Sequence, residues 1–160
     1  MTQSKLRPAS EADFAFVRSV AGRPENAAFI EDAPEAALAA LLADPDAAFV
    51  IWEHDGQPAG FAMFHQLTHP DNQAELRRLA LDETDRGLGQ PFLRDLVAYA
   101  FEALDKPRVW LDVVPHNARA IRSYERAGFT PAPEGTSLWH KPDGTTVELL
   151  VFHQLRPASA

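Results

Sequence analysis

The sequence predicts a single domain of the α/β (α+β) class, in which four helices flank a central mixed, mostly antiparallel sheet of about seven strands. Three observations lead to this prediction. Segments with the spacing of strands and helices follow one another in the order β-α-α-β-β-β-α-β-α-β-β. A chain of 160 residues fits one domain with a sizeable core. No linker, repeat or low-complexity stretch divides residues 1–160, of which only 156–160 are expected to fray.

The individual elements are predicted from start signals, stop signals and apolar spacing. After a short strand at 5–8, Ser10 is expected to cap a helix, with Asp13 placed three residues further on as in a capping box. Gly22-Arg23-Pro24 is expected to stop that helix. The remaining predicted elements are a helix between Asp32 and Asp46, strands at 48–53, 59–67 and 75–81, a helix at 88–104, a strand at 109–114, a helix at 118–127, and strands at 138–140 and 147–155.

Turn and cap residues support these boundaries. Asp55-Gly56 lies between two apolar runs and is typical of a tight hairpin turn. Pro34 falls near the first position of the second helix, where a missing N–H costs nothing. Gly128 lies directly after a helical pattern, as a C-terminal cap does. The run at 141–144, Lys-Pro-Asp-Gly, predicts a turn between the last two strands.

Composition excludes several classes of function. The net charge of −8 argues against a nucleic-acid binder, which needs a basic face to neutralise phosphates. The acidity favours either a cationic partner or simply solubility. No apolar run is long enough for a membrane helix, and the first residues lack a signal peptide's apolar core, so we expect a cytoplasmic protein. Without cysteine there is no disulfide, no thiol nucleophile and no cysteine metal site.

A glycine-containing turn connects the predicted strand at 75–81 to the helix that follows. It reads Leu-Asp-Glu-Thr-Asp-Arg-Gly-Leu-Gly-Gln over residues 81–90. Glycines let the backbone approach a phosphate closely, and a helix N-terminus presents unpaired N–H groups to an anion. Pro91 removes an N–H that has no intrahelical partner. Taken in isolation, the pattern is explained better by two glycines that form a tight turn without a ligand. The N–H groups expected to bind a diphosphate belong to Arg86, Gly87, Leu88, Gly89 and Gln90.

A second motif is more specific. Residues 110–129 read Trp-Leu-Asp-Val-Val-Pro-His-Asn-Ala-Arg-Ala-Ile-Arg-Ser-Tyr-Glu-Arg-Ala-Gly-Phe. This stretch resembles the second conserved block of the GNAT superfamily of acyl-CoA N-acyltransferases, within its RimI/RimJ/RimL-like group. The glycine turn resembles the superfamily's Arg/Gln-x-x-Gly-x-Gly/Ala motif, although Thr84 stands where arginine or glutamine is usual. The matching residues of the second block are Asn117, Ala120, Ile121, Tyr124, Glu125, Gly128 and Phe129.

The resemblance implies a fold with a splayed parallel strand pair and acetyl-CoA as the cosubstrate. The strands at 75–81 and 109–114 are expected to part so that the pantetheine arm enters between them. The main chains of Leu79, Ala80 and Leu81 would bind that arm. Asn117 would contact it or cap its own helix, and both roles are compatible. Asn117, Ile121 and Tyr124 share one helix face.

The resemblance also implies the catalytic residues. Tyr124 is expected to donate a hydrogen bond or a proton to the leaving sulfur, and the alternative is a tyrosine of the core. Glu75 matches the position of a glutamate that acts as the base in some members, often through water, and a solvent-facing glutamate is the alternative. His65 and His69 lie near the acceptor side, where a surface or packing role is an open alternative. We expect no metal.

The acceptor is an amine that the sequence does not identify: a small molecule or a peptide N-terminus, bound by a monomer or a homodimer. Trp139 and Phe64 are candidates for the acceptor pocket, and Arg119, Arg122 and Arg126 are candidates for the CoA 3′-phosphate or for a solvated face. Two other functions stay open. One is a non-catalytic acyl-CoA-binding or regulatory module on the same fold, and the other is an unrelated domain that binds a nucleotide.

Overall fold

A seven-stranded mixed sheet with the strand order β1-β2-β3-β4-β5-β7-β6 forms the centre of the molecule. The computed structural model describes residues 3–27, 33–83 and 86–158. The strands are Ser4–Pro8 (β1), Ala48–His54 (β2), Gln57–His65 (β3), Ala74–Leu81 (β4), Arg108–Val113 (β5), Thr130–His140 (β6) and Thr146–Leu155 (β7). The helices are Phe14–Ala21 (α1), Pro24–Ala27 (α2), Glu35–Ala43 (α3), Gly89–Glu102 (α4) and Ala118–Arg126 (α5).

These elements confirm the predicted class and element order. Apart from α2, which is only one turn long, the described residues contain the four predicted helices. Two boundaries differ. Pro24 begins α2 because proline suits the first helical position. β6 begins at Thr130, well before the predicted Leu138, and contains Pro131 and Pro133. It is an edge strand that pairs only with β7, so a missing N–H is tolerated there.

The predicted start of the first helix is confirmed in detail. A one-turn 3₁₀ helix at Glu11–Asp13 precedes α1, and Ser10 and Asp13 form a capping box in which Oδ2 of Asp13 accepts the Ser10 N–H at 2.9 Å. Both oxygens of Asp13 also accept from the Arg7 guanidinium, at 2.8 and 2.9 Å. This hydrogen-bonded charge holds the pKa of Asp13 below its usual value and joins β1 to the start of α1.

Apolar side chains from the two faces of the sheet form two clusters. One cluster packs under α4 and α5, and the other packs under α1 and α3. No helix in the described ranges is long and apolar enough to cross a bilayer. The first cluster includes Trp52, Phe64, Leu76, Phe92, Leu96, Leu111 and Phe129, and the second includes Phe14, Val17, Leu38, Ile51, Phe61 and Ala80.

A β-bulge in β4 reverses which residues face which cluster. Phe64 of β3 pairs with Leu76, whereas the preceding Met63 pairs with Arg78, so β4 contains one extra residue there. Before the bulge, Leu76 lies in the α4 cluster. Beyond it, Leu79 packs against the α4 cluster and Ala80 lies in the α1 cluster. The alternation along β4 therefore shifts by one residue between its two halves.

The parallel strands β4 and β5 separate soon after they begin, as the resemblance predicted. They pair only at Ala74 with Val109 and at Glu75 with Trp110. Beyond that point β4 stays paired to β3, and β5 stays paired to β7. The carboxyl ends of the two strands therefore part and leave a cleft in the sheet, with the N-terminal ends of α4 and α5 beside it.

Candidate active site

The N-terminal end of α4 presents main-chain donors that have no acceptor within the described part of the chain. The N–H groups from Arg86 to Gln90 donate to no described residue, and the first helical bond runs from Phe92 N to Leu88 O at 3.1 Å. Leu88 is the N-cap and has no side-chain oxygen to satisfy those donors. Pro91 lies in the first turn, where its missing N–H leaves the helix intact. A helix end with unpaired main-chain donors of this kind is able to bind an anion.

The two glycines of this turn have different explanations. Gly87 has a φ of 71°, a left-handed conformation that a side chain disfavours. Gly89 has no such φ, and a Cβ built on it meets no described atom within 4 Å. Neither backbone conformation nor packing within the protein accounts for glycine at 89. Its missing side chain instead leaves room for a ligand to approach the backbone.

The side chains around the turn are engaged with the protein. Arg86 forms an exposed ion pair with Glu83 at 2.8 Å. Gln90 donates from Nε2 to the Ser123 carbonyl at 3.0 Å and joins α4 to α5, while its Oε1 is buried without a partner. The predicted departure at Thr84 lies outside the described residues. The side chains of Arg86 and Gln90 therefore have protein partners, whereas their main-chain N–H groups have no described acceptor.

Along β4, the main-chain N–H and C=O groups of successive residues point alternately toward β3 and toward the side from which β5 has parted. Asp82 N donates to Ala59 O at 2.7 Å. The main-chain groups of the residue two positions before Asp82 therefore also point toward β3. That residue is Ala80, and its carbonyl oxygen lies 2.8 Å from where a Cβ on Gly60 would be. The predicted contacts with a pantetheine arm therefore narrow to Leu79 and Leu81. Leu81 O also accepts a long hydrogen bond, 3.4 Å, from Asn26 Nδ2.

Asn117 and Gly128 close the two ends of α5. Oδ1 of Asn117 accepts the Ala120 N–H at 3.3 Å, which confirms its capping role. Gly128 follows the helix with a φ of 100° and donates to the Glu125 carbonyl at 3.1 Å, as predicted for a C-terminal cap. A contact between Asn117 and the cosubstrate stays a prediction.

Tyr124 lies on α5 and packs against the apolar cluster under α4 and α5. Its ring meets Phe129 edge-on, with centroids 5.9 Å apart, and its hydroxyl has no hydrogen-bond partner among the described residues. Burial raises the pKa of Tyr124 to about 12, and the charge of Asp112 adds to this effect. The hydroxyl therefore keeps its proton at neutral pH and is available as a hydrogen-bond donor.

Glu75 is buried at the point where β4 and β5 part, so the alternative of a solvent-facing glutamate is wrong. Arg77 holds both of its oxygens. Nε of Arg77 lies 2.9 Å from Oε1 and 3.0 Å from Oε2, and the terminal nitrogen lies 2.7 Å from Oε1. This fork pairs the buried carboxylate with a guanidinium through charge-assisted hydrogen bonds and fixes its orientation.

Asp112 is a site residue that the sequence analysis missed. It lies on β5, where Oδ2 accepts from the Ser137 hydroxyl at 3.0 Å. Burial raises the pKa of Asp112, Ser137 offsets part of that rise, and the charge of Glu75 adds to it. Because the charge of Asp112 also acts on Tyr124, Asp112 lies within electrostatic reach of both residues. A carboxylate within the apolar run Val-Trp-Leu-Asp-Val-Val at 109–114 was the available signal.

Several other candidates lie away from the cleft or have a structural role. Phe64 is fully buried on the α4 face and stacks on Tyr99 at 5.9 Å, so its predicted place in an acceptor pocket is wrong. Trp139 lies near the end of β6 under the Lys141 ammonium, 4.7 Å from the ring centroid. Arg119, Arg122 and Arg126 are exposed on α5, and a contact with a 3′-phosphate stays a prediction.

The two histidines do not form a metal site with their neighbours. His65 is half-buried, and burial together with the charge of Arg77 lowers its pKa. His69 is exposed, and its Nδ1 accepts the Asp71 N–H at 3.1 Å within a turn. In residues 3–27, 33–83 and 86–158, no three histidine, aspartate or glutamate side chains are grouped as metal ligands.

Similarity to known proteins covers most of the chain. The profile described as the acetyltransferase (GNAT) family matches residues 14–129. The aminoglycoside N(6′)-acetyltransferase type 1 of Klebsiella pneumoniae is 28% identical over 137 residues, which cover 78% of this chain and 66% of that protein. The spermine/spermidine N(1)-acetyltransferase of Bacillus subtilis is 30% identical over 83 residues, 48% of this chain and 55% of that protein.

Solved structures show the same fold. Aminoglycoside acetyltransferase AAC(6′)-Ib in complex with coenzyme A and kanamycin superposes with a TM-score of 0.78 at 25% identity, covering 96% of this chain and 95% of that chain. Spermidine N-acetyltransferase from Vibrio cholerae in complex with CoA and spermine gives 0.80 at 17% identity, with coverage of 96% and 95%. At that identity the second likeness shows the fold alone.

Proposed function

The chain belongs to the acetyltransferase (GNAT) family, and from that premise we propose that it transfers an acetyl group from acetyl-CoA to a primary amine of a small polycationic molecule. The observation that carries the proposal is the split between β4 and β5. A hydrogen-bond donor, Tyr124, and a proton acceptor, Asp112, lie beside the same cleft. The cytoplasmic location and the choice between monomer and homodimer stay predictions of the sequence.

The residues at the cleft fit acetyl-CoA. The donors from Arg86 to Gln90 and the space beside Gly89 suit its diphosphate. Leu79 and Leu81 have main-chain groups on the side of β4 that β5 leaves, and these suit the amides of a pantetheine arm. Bound acetyl-CoA would supply an activated thioester carbonyl, and the chemistry left to the protein is orientation and proton transfer.

We assign proton acceptance from the amine to Asp112. An alkylammonium has a pKa near 10.4 in water, so it must lose a proton before its nitrogen can attack. Asp112 has a raised pKa, which brings it closer to the operating pH and improves it as a base. Glu75 is held in a hydrogen-bonded fork by Arg77, and its charge, which acts on Asp112, suits attraction of a cationic amine.

Tyr124 is suited to donate a hydrogen bond to the leaving sulfur. Full transfer of its proton to a thiolate of pKa ~8.5 is uphill by about 5 kcal/mol when the pKa of the phenol is about 12. A hydrogen bond that strengthens as negative charge develops on sulfur needs no such transfer. Tyr124 therefore acts through its hydroxyl dipole while it keeps its proton.

The acceptor class is inferred from charge. Two carboxylates, Glu75 and Asp112, lie at the point of reaction in a chain of net charge −8. An acidic site attracts polycations and raises their local concentration. The relatives named above act on aminoglycosides and on spermine or spermidine, which are molecules of this class. We therefore place polyamines and aminoglycosides ahead of peptide N-termini as acceptors.

An amine panel with acetyl-CoA, read as release of the CoA thiol, tests the proposal. We expect turnover with polyamines or aminoglycosides to exceed turnover with single-amine peptides by roughly tenfold or more in kcat/KM. Thermal protection by acetyl-CoA without thiol release from any amine would instead support a non-catalytic module. A preference for peptide N-termini would contradict the acceptor class and leave the reaction standing.

The variant Asp112→Asn tests the assignment of the base. We expect kcat/KM to fall roughly 10²–10⁴-fold, because a positioned base contributes that much. The fold should persist, since asparagine retains the hydrogen bond with Ser137 and removes a buried charge. Glu75→Gln is the matched comparison. If kcat/KM falls further in that variant than in Asp112→Asn, Glu75 and not Asp112 is the base.

A further inference from the structure

An acidic run directly precedes the anion-binding turn. Residues 82, 83 and 85 are Asp, Glu and Asp, and the donors of α4 begin at residue 86. Carboxylates near a bound diphosphate repel it, since like charges interact more strongly outside bulk water than within it. A functional turn at this position therefore needs cations that neutralise the run.

The structure places one cation on each of the two described acids. Arg86 pairs with Glu83 at 2.8 Å, but both side chains are more than half exposed, so solvent and salt weaken this pair. Arg23 pairs with Asp82 at 2.7 Å, and these side chains are 39% and 30% exposed. The Arg23 pair is the more enclosed of the two and is screened less.

Arg23 reaches Asp82 from a distant part of the chain that is fastened to β4. It lies between α1 and α2, 59 residues from Asp82 in sequence. Asn26 donates from Nδ2 to Val20 O at 2.9 Å and to Leu81 O at 3.4 Å, which joins this corner to the last residue of β4. Asp82 is anchored in turn, because its N–H donates to Ala59 O at 2.7 Å. The ion pair is therefore held between two fixed segments.

We propose that Arg23 is a positioning residue for acetyl-CoA, which neutralises Asp82 and so permits the diphosphate to approach the turn at 86–90. Arg23 acts through Asp82 and does not touch the reacting atoms. The inference rests on the proposed function, since it assumes that the diphosphate of acetyl-CoA binds at this end of α4. It adds a requirement from the segment between α1 and α2, outside both sequence motifs.

A double-mutant cycle tests the proposal, using calorimetric binding of CoA at low ionic strength. Arg23→Gln exposes the Asp82 charge, and we expect Kd for CoA to rise roughly tenfold. Asp82→Asn should bind CoA as well as the wild type or better. The double variant Arg23→Gln/Asp82→Asn should return to within about twofold of the wild type, since the repulsive charge is gone.

A phosphate-free donor separates charge from structure. S-acetylpantetheine lacks the diphosphate, so its kcat/KM should be unchanged in Arg23→Gln to within about twofold. If Arg23 merely fastens α2 to β4, both donors would suffer equally and the double variant would not recover, which would overturn the proposal. Arg156→Gln is the control, because it removes a similarly exposed arginine from an ion pair with Asp105 beyond the other end of β5.

The outcomes also separate this inference from the proposed function. A wild-type chain that does not bind CoA would refute both. Wild-type binding with no change in Arg23→Gln would refute only the inference. If Arg23→Gln does not fold, Asp82→Asn alone still tests the proposal. The proposal is refuted if Asp82→Asn binds CoA more than about threefold more weakly than the wild type.

Discussion

Two helices begin beside the same cleft, and their first turns are built differently. The first turn of α5 is complete, because Oδ1 of Asn117 accepts the Ala120 N–H. The first turn of α4 is incomplete, because Leu88 offers no cap and the N–H groups before Pro91 have no described acceptor. An unsatisfied helix end costs free energy unless water or a ligand completes it. Asn117 therefore stabilises the start of α5, whereas the donors at the start of α4 stay available to water or to a ligand.

The strongest way to break this comparison is Gly89→Glu. A Cβ at this position meets no described atom, and a carboxylate in the first turn favours the helix, so we expect the melting temperature to be unchanged or higher. Affinity for CoA should fall roughly thousandfold, since two charge-assisted hydrogen bonds of about 1.5–3 kcal/mol each are lost. Ala36→Glu, in the first turn of α3, is the matched control, and equal losses in both variants would refute a site at α4.

The next largest effect is expected from Tyr124→Phe, on the face of α5 that meets the cleft. We expect kcat to fall roughly hundredfold, because one preorganised donor is removed from the developing charge. Kd for acetyl-CoA should stay the same, since the ring still packs on Phe129. Stopped-flow measurement of thiol release would separate the two quantities. Wild-type turnover in this variant would remove Tyr124 from the chemistry.

The start of α1 extends the comparison to pH, because the capping box there contains a charged side chain, Asp13. Arg7 lowers the pKa of Asp13, so the folded chain binds this proton more weakly than the unfolded chain does. The stability that Asp13 contributes is therefore fully present above the ordinary pKa of aspartate and is lost as the pH falls through the lowered value. Asp13→Asn should cost about 2 kcal/mol at pH 7. Urea unfolding between pH 7 and pH 3 should show a smaller decline in the variant than in the wild type.

The smallest expected effect concerns the capped helix start, that of α5. Asn117→Ala should lower the free energy of unfolding by about 1 kcal/mol, the usual contribution of an N-cap. Asn117→Ser should restore most of that loss, because serine also accepts the Ala120 N–H. Calorimetric melting of the three proteins measures the difference. A large loss of CoA affinity in both variants, with melting unchanged, would show that Asn117 serves the cosubstrate instead of the helix.

Local signals in the sequence predicted the parts of the fold that depend on neighbouring residues. The Ser10–Asp13 box, the Asn117 cap and the Gly128 cap each join residues three to five apart, so residue type and spacing suffice to predict them. The start of β6 was missed because Pro131 is acceptable only on an edge strand, and the position of a strand within a sheet is not a local property.

The candidate site was predicted in part, for a similar reason. Tyr124 and the turn at 86–90 follow from motifs of consecutive residues. Asp112 looked like one polar residue in an apolar strand. Its raised pKa depends on burial and on the charge of Glu75, which is 37 positions away in the chain and pairs with Trp110, two residues before Asp112 on β5. The Arg23–Asp82 pair spans 59 positions and has no sequence signature.

By itself, the sequence determined the class of fold, the order of its elements, the helix ends and the family motifs, because these depend on short-range periodicity and on bonds within a few residues. The tertiary structure decided where β4 and β5 part and how the bulge at Arg77 exchanges the two faces of β4. It also decided which carboxylates share the cleft. These outcomes depend on the register between strands, and register is fixed by which side chains are buried when the sheet packs against the helices.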